Sequence, residues 1–269
     1  MKSDKGESNK ALELIQLLKS FSIPEVLDIE EHYDEQFKAL KKLYECVRNC
    51  SVYLSLIVLN ALSSYMLNCT GEMYWKEFAD YFCFFFKKRN SEILRGDDLI
   101  IVFKTFLTNS MCNKRFLTVK LRRIDKAREL IGKLSKNLDR YIKDQEFLLL
   151  DLIKYVGGRR DSKTLVFAVK MFNYGVRICT RERIVLPFTI SIPLDNRILK
   201  ISYLLGVRRD VINFWNRVSK EIGIPPLHVD SLLWIAYRYA RESEKSKHMK
   251  FDKLIQFLSR LMKNVRNIY

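Results

Sequence analysis

The chain has 269 residues, enough for one sizeable core or two small lobes sharing an interface, and 48% of them are hydrophobic. Its 48 Lys and Arg against 31 Asp and Glu leave a net charge of +17, which implies a polyanionic partner, nucleic acid or an anionic membrane. The six cysteines (46, 50, 69, 83, 112 and 179) form no CxxC pair and no iron–sulfur string, which argues against a zinc finger or a cluster.

These cysteines stand mostly inside apolar helical patterns, so they are expected to be reduced, buried and structural, as in a cytoplasmic protein. Residues 1–9 are polar, expected to be disordered, and lack the apolar stretch of a signal peptide. Helical spacing of apolar residues begins at 11–21, followed by a short helix from Pro24. Longer helices are predicted at 33–47 and 51–67. The second is the most apolar stretch, but Ser55, Asn60, Ser63 and Ser64 interrupt it, so it reads as a buried core helix, too short to span a membrane.

Residues 73–88 carry the aromatic run Phe82-Cys83-Phe84-Phe85-Phe86, read as core or interface. Asp97 and Asp98 look like the cap of a helix through Phe106. The stretch 114–128 holds seven Lys and Arg, which suits either a solvated face or a DNA-facing one. Further helices are predicted near 135–141 and at 145–155, 163–178, 196–205, 210–221, 229–241 and 251–268, with a polar linker at 241–250. Only 184–192 is a candidate for extended backbone, because Pro187 and Pro193 exclude a helix there.

The chemistry concentrates between Asp151 and Arg197. A helix ending near Tyr155 runs into the turn Val156-Gly157-Gly158-Arg159-Arg160-Asp161-Ser162, and a new helix starts at Lys163. Adjacent glycines allow positive φ and let amide N–H groups approach another surface. Together with the positive end of the next helix they offer a seat for a phosphate oxygen, to which Arg159 and Arg160 would add charge. A plain glycine-mediated helix connection explains the same turn. Lys163 opens a helix that is otherwise apolar (Leu165, Val166, Phe167, Ala168, Val169). A lysine nucleophile must be neutral, and partial burial with a helix N-terminus would disfavour its ammonium form. Asp195, after Pro193-Leu194, opens the next helix and suits an N-cap as well as an acid.

At these residues a resemblance appears. Val156-Gly157-Gly158-Arg159-Arg160-Asp161-Ser162-Lys163-Thr164-Leu165-Val166-Phe167, Leu186-Pro187-Phe188, Ile192-Pro193-Leu194-Asp195 and Gly223-Ile224-Pro225-Pro226-Leu227-His228-Val229-Asp230-Ser231-Leu232-Leu233-Trp234 together resemble the archaeal 8-oxoguanine DNA glycosylase family. The resemblance covers about 150–240 and departs from the Leu-Pro-Gly-Val-Gly turn of the wider helix-hairpin-helix superfamily. It implies an all-α, two-lobed helix-hairpin-helix glycosylase fold with the active site in the cleft between lobes, a single unit over 1–269 and the hairpin at 148–178. By the same resemblance Lys163 is the Schiff-base nucleophile and Asp195 the catalytic aspartate. Phe167, Trp234, Asp230 and Pro193 match base-binding positions, with Trp75 and Gln36 similar to the family's remaining tryptophan and glutamine.

The function implied is excision of 8-oxoguanine followed by strand cleavage, with damaged DNA as partner and no metal or organic cofactor. A monomer with no obligatory protein partner, beside the nucleoid in an archaeal cytoplasm, is the accompanying expectation. The alternatives are a non-catalytic DNA-binding hairpin, a glycosylase for another damaged base, and membrane-surface binding through 251–268. Phe167 and Trp234 also suit core positions, and His228 suits a helix start; Trp215 carries no functional expectation.

Overall fold

A computed structural model describes residues 8–88, 94 and 96–266, with side chains to 263. Residues 1–7 of the segment expected to be disordered lie outside the described residues, as does the end of the last predicted helix beyond Arg266.

Among the described residues there are fifteen α-helices and no strand, in line with the all-α expectation. The first five are α1 (Asn9–Lys19), α2 (Ile23–Tyr33), α3 (Glu35–Val47), α4 (Cys50–Ser63) and α5 (Gly71–Lys88). Then come α6 (Asp97–Asn109), α7 (Leu117–Lys126), α8 (Arg128–Lys136), α9 (Leu138–Lys143) and α10 (Gln145–Val156). The last five are α11 (Lys163–Thr180), α12 (Asn196–Leu204), α13 (Val211–Ile222), α14 (Pro226–Glu242) and α15 (Met249–Arg266). They divide into two compact units: the described residues of Met1–Asp34 and Phe188–Tyr269 in one, Glu35–Pro187 in the other.

The first unit joins the two ends of the chain. Helix α14 packs on α2, α12, α13 and α15, around a core that includes Leu18, Val26, Trp215, Leu232, Leu233, Phe251 and Leu258. Helix α2 is fixed by a capping box, in which Ser22 and Glu25 satisfy each other's amides. Lys250 reaches Glu25 at 2.7 Å, and that contact, with the Ser22 amide, holds the Glu25 carboxyl down at about 2. The apolar side chains of α15 (Phe251, Leu254, Ile255, Leu258, Leu261) are buried in this core, which removes the reason for reading that helix as a membrane-surface element. No helix of the described residues is long and apolar enough to cross a membrane.

The second unit is built around α4, which is apolar nearly all round and buried from Val52 to Ser63, as a helix with neighbours on every side must be. It packs on α3, α6, α7, α8 and α11. Helix α11 comes closest at Gly175, where an added Cβ would lie 2.5 Å from Ile57 Cδ1 and 2.7 Å from Leu54 Cδ2. The aromatic run of α5 contributes Phe82 to a ring cluster with Phe78, Phe103 and Phe106, while Phe84 is exposed.

Several expectations need correction. The predicted helix at 33–47 is broken at Asp34, whose extended backbone ends α2 and lets α3 start afresh. Helix α8 was not foreseen, because Ala127, the one residue between it and α7, carries no breaker signal. Gly96, rather than Asp97 or Asp98, is the cap position of α6. Residues 184–192 form no strand; they run irregularly, with the Ile184 carbonyl held by Asn173 Nδ2 at 3.0 Å.

The thiol expectation fails for four of the six cysteines. Cys46–Cys83 links α3 to α5 and Cys69–Cys112 links the segments that follow α4 and α6, while Cys50 and Cys179 remain free. Separations of 37 and 43 residues leave no local motif to read. Only helix packing brings each pair of Cα atoms to 5.1 Å.

Candidate active site

Helix α10 ends at Val156, and the amide of Gly157 returns to the Ile153 carbonyl at 3.0 Å. Gly157 has φ +85° and Gly158 φ +121°, both in the region that excludes ordinary side chains. A Cβ on Gly158 would also meet Ser162 Oγ at 3.0 Å and Leu165 Cδ1 at 3.1 Å. The turn is locked from within: the Arg159 amide donates to Ser162 Oγ at 2.7 Å, and the Ser162 amide to the Arg159 carbonyl at 3.0 Å. Because its hydroxyl serves the turn, Ser162 makes no side-chain cap on α11. The head of that helix keeps its positive end uncapped, as an anion seat requires. The two arginines expected to add charge are engaged locally, Arg159 with Asp161 at 3.2 Å and Arg160 with Glu146.

Lys163 is the first residue of α11 and is exposed, not partly buried as expected. The inward face of the helix begins with Leu165 and Val166, and Lys163 stands outside it. Its amine has no hydrogen-bond or ion-pair partner among the described residues. Another lysine has the opposite profile. Lys120, from the basic run, is fully buried, bonded to Asn113 Oδ1 and set 4.8 Å from the Tyr65 ring. Burial pushes its amine down to about 8. Fully buried as it is, Lys120 is closed off from the surface, so a depressed amine alone does not mark a site that DNA could reach.

Phe167 lies one turn after Lys163 on the same side of α11 and is half-buried. Its ring meets that of Trp75 edge to face, centroids 6.1 Å apart at 74°. Trp75 is fully buried on α5, and its indole Nε1 has no hydrogen-bond partner among the described residues. Orphaned buried donors are uncommon and ask for an explanation. Gln36 is buried on α3, which packs on both α5 and α11. Three of the expected base-binding residues thus stand on three neighbouring helices of one unit.

The other candidates belong to the first unit. Asp195 is the N-cap of α12, and its Oδ1 accepts the amides of Arg197 at 2.9 Å and Ile198 at 2.8 Å. The capping role weighed against catalysis is therefore real, yet it occupies one oxygen only. Oδ2 has no partner among the described residues. Pro193 is buried just ahead, its carbonyl 3.0 Å from the Asp195 amide.

On α14, Asp230 is buried and Trp234, four residues on, is half-buried on the same side. The guanidinium of Arg197 lies over the Trp234 indole, Cζ 3.0 Å from the ring centroid. That contact was missed, although a position two residues after a capping aspartate is a first-turn position by construction. His228 is buried against Glu30 at 2.8 Å and joins α14 to α2, a structural role. Trp215 is core, its indole N–H given to Ser202 Oγ at 2.9 Å.

Comparison with known proteins gives this arrangement its class. The crystal structure of an 8-oxoguanine DNA glycosylase from Pyrobaculum aerophilum, complexed with 8-oxoguanosine, matches with a TM-score of 0.76 at 30% identity, over 92% of this chain and 96% of that one. The fold is that of the helix-hairpin-helix DNA glycosylases. Sequence relatives narrow it further. The chain is 37% identical to an N-glycosylase/DNA lyase of Methanococcus maripaludis over 84% of its length and 86% of the relative's, and 36% identical to one of Nanoarchaeum equitans over 92% and 98%. The AGOG family model, described as N-glycosylase/DNA lyase, matches residues 15–267, and the chain belongs to that family.

Proposed function

We propose that this N-glycosylase/DNA lyase removes 8-oxoguanine from DNA and then cleaves the strand, with Lys163 as nucleophile and Asp195 as its acidic partner. The observation that carries the reading is an unpartnered lysine amine at the head of the helix that follows a two-glycine turn. A stacked base is out of reach of such an amine, so the damaged nucleotide has to be extruded, at about a few kcal/mol. The turn amides and the head of α11 hold a backbone phosphate, and the excess of basic side chains holds the strand around it.

With the amine exposed, water must be excluded by the substrate itself, when the extruded nucleotide covers Lys163. The neutral amine attacks C1′ as the bond from C1′ to N9 breaks, and the base leaves with the bonding pair and takes up a proton. The carboxylate of Asp195, through the oxygen not committed to the cap, stabilises the positive charge that grows on the sugar. The amine nitrogen then gives up a proton and the C1′–O4′ bond opens, O4′ taking up a proton, to leave an imine at C1′. That imine acidifies the C2′ hydrogens, and loss of one of them as a proton expels the 3′ phosphate with the bonding pair. Phe167 and Trp234 act as stacking surfaces for the base. A buried base oxygen would satisfy the orphaned Trp75 N–H. The lesion differs from guanine by a protonated N7 and an oxygen at C8, so discrimination calls for an acceptor, for which Asp230 is suited. A chromosomal DNA substrate supports the reading that the enzyme acts in the cytoplasm, beside the nucleoid.

A set of duplexes, each with one lesion, tests the substrate. The 8-oxoguanine duplex is expected to be cut fastest, ahead of thymine glycol and an alkylated purine. Faster cutting of either of the others would reassign the substrate while leaving the class intact.

A further inference from the structure

We propose that Arg197 is a positioning residue for base recognition, which backs one face of the Trp234 indole and leaves the other as a platform for an electron-rich purine. The inference rests on the reading of Trp234 as a stacking surface and adds the residue that orients it. Arg197 is held at both ends. Its amide is bound by Asp195 Oδ1 at 2.9 Å, and its Nη1 donates to the Trp234 carbonyl at 3.4 Å while the guanidinium covers the ring. The same guanidinium lies 5.8 Å from the Tyr237 ring, one turn farther along α14.

Two attachments to one residue, at its ring and at its backbone, restrict the rotation of the indole. Leu233 and Ile235 on either side of Trp234 are fully buried, whereas Trp234 is only half-buried. The indole is packed against the core of its unit and covered on one face by a cation, so the part of the ring that stays exposed is what a ligand meets. A cation behind a π system draws its electron density backward. The open face then favours an electron-rich partner, and a guanine with an added oxygen is one. Planarity matters here: a planar guanidinium is able to stack on an aromatic ring, which a lysine ammonium cannot do. Because one helix turn carries both Asp195 and Arg197, it also sets the platform at a fixed distance from the acid that attends the sugar.

Binding separates this role from a general structural one. In a Lys163→Gln background, where no turnover occurs, affinity is measured by fluorescence anisotropy for an 8-oxoguanine duplex and for one with a tetrahydrofuran abasic analogue, which lacks a base. Arg197→Ala and Arg197→Met are each expected to weaken the first about fivefold, the scale of one cation–π contact, and the second less than twofold. Arg197→Lys should fall between native and Ala, and it carries the test should the Ala variant fail to fold. Equal loss on both duplexes, no loss on either, or tighter binding of the lesion would each overturn the proposal, the last because it would mean that the guanidinium occupies the place of the base. Trp234→Ala in the same background separates the layers. If it keeps the preference for the base-containing duplex, the platform reading itself fails. If it loses that preference while Arg197→Ala keeps it, only the role of Arg197 fails.

Discussion

A carboxylate that caps a helix with one oxygen and leaves the other unpartnered can be tested by removing its charge alone. Asn is as good an N-cap as Asp, so Asp195→Asn keeps the bonds to the Arg197 and Ile198 amides while removing the negative charge. Base release in single-turnover experiments is expected to slow at least about a hundredfold, with DNA affinity within about threefold of native. Equal losses in both would reduce Asp195 to a cap. The places of Lys163 at a helix start, of Asp195 at an N-cap and of the two glycines in a turn were legible because each stands beside a local signal: a turn, a proline, the head of an apolar helix. The exposure of Lys163 was not legible, since burial depends on what packs over a position and the helix it opens is mostly apolar from Leu165 onward. The orphaned Trp75 N–H and the stacking of Arg197 on Trp234 were hidden for the same reason, one across α5 and α11, the other across α12 and α14.

At the level of elements, α11 carries Lys163 at one end and is anchored on α4 near the other. The anchor requires a residue without a side chain at Gly175, where an added methyl would press into Ile57 and Leu54. Gly175→Ala is expected to destabilise the protein by about 2 kcal/mol through overpacking, in spite of alanine's better helix propensity. A lower midpoint in urea denaturation with an unchanged slope would bear this out; an equal or higher midpoint would mean that the two helices part without cost. Helix ends were readable where chemistry marks them, as at Lys163 and Asn196, which the structure places at the starts of α11 and α12. They were not readable where geometry alone decides. Ala127 separates α7 from α8 with near-helical angles of φ −75° and ψ −8°, and no residue type announces such a junction.

For the whole molecule, the +17 charge was the first indication of a polyanionic partner, and membership of a DNA-cleaving family accounts for it. The cysteines show where composition misleads. Six thiols without a motif suggested a reduced protein, yet two bridges close loops of 37 and 43 residues within one unit. On the chain-entropy account each constrains the unfolded state by about 4 kcal/mol. Thermal unfolding in the presence of dithiothreitol is therefore expected several degrees below that of the oxidised protein. Coincident melting curves would show that neither bridge contributes to stability.

The covalent role of Lys163 is the central claim, and borohydride trapping tests it most directly. Incubation of the protein with 8-oxoguanine duplex and sodium borohydride should yield one protein–DNA adduct, with the cross-linked peptide mapping to Lys163, and Lys163→Gln should yield none. An adduct of undiminished yield from that variant, or a cross-link at another lysine such as Lys120, would contradict the account.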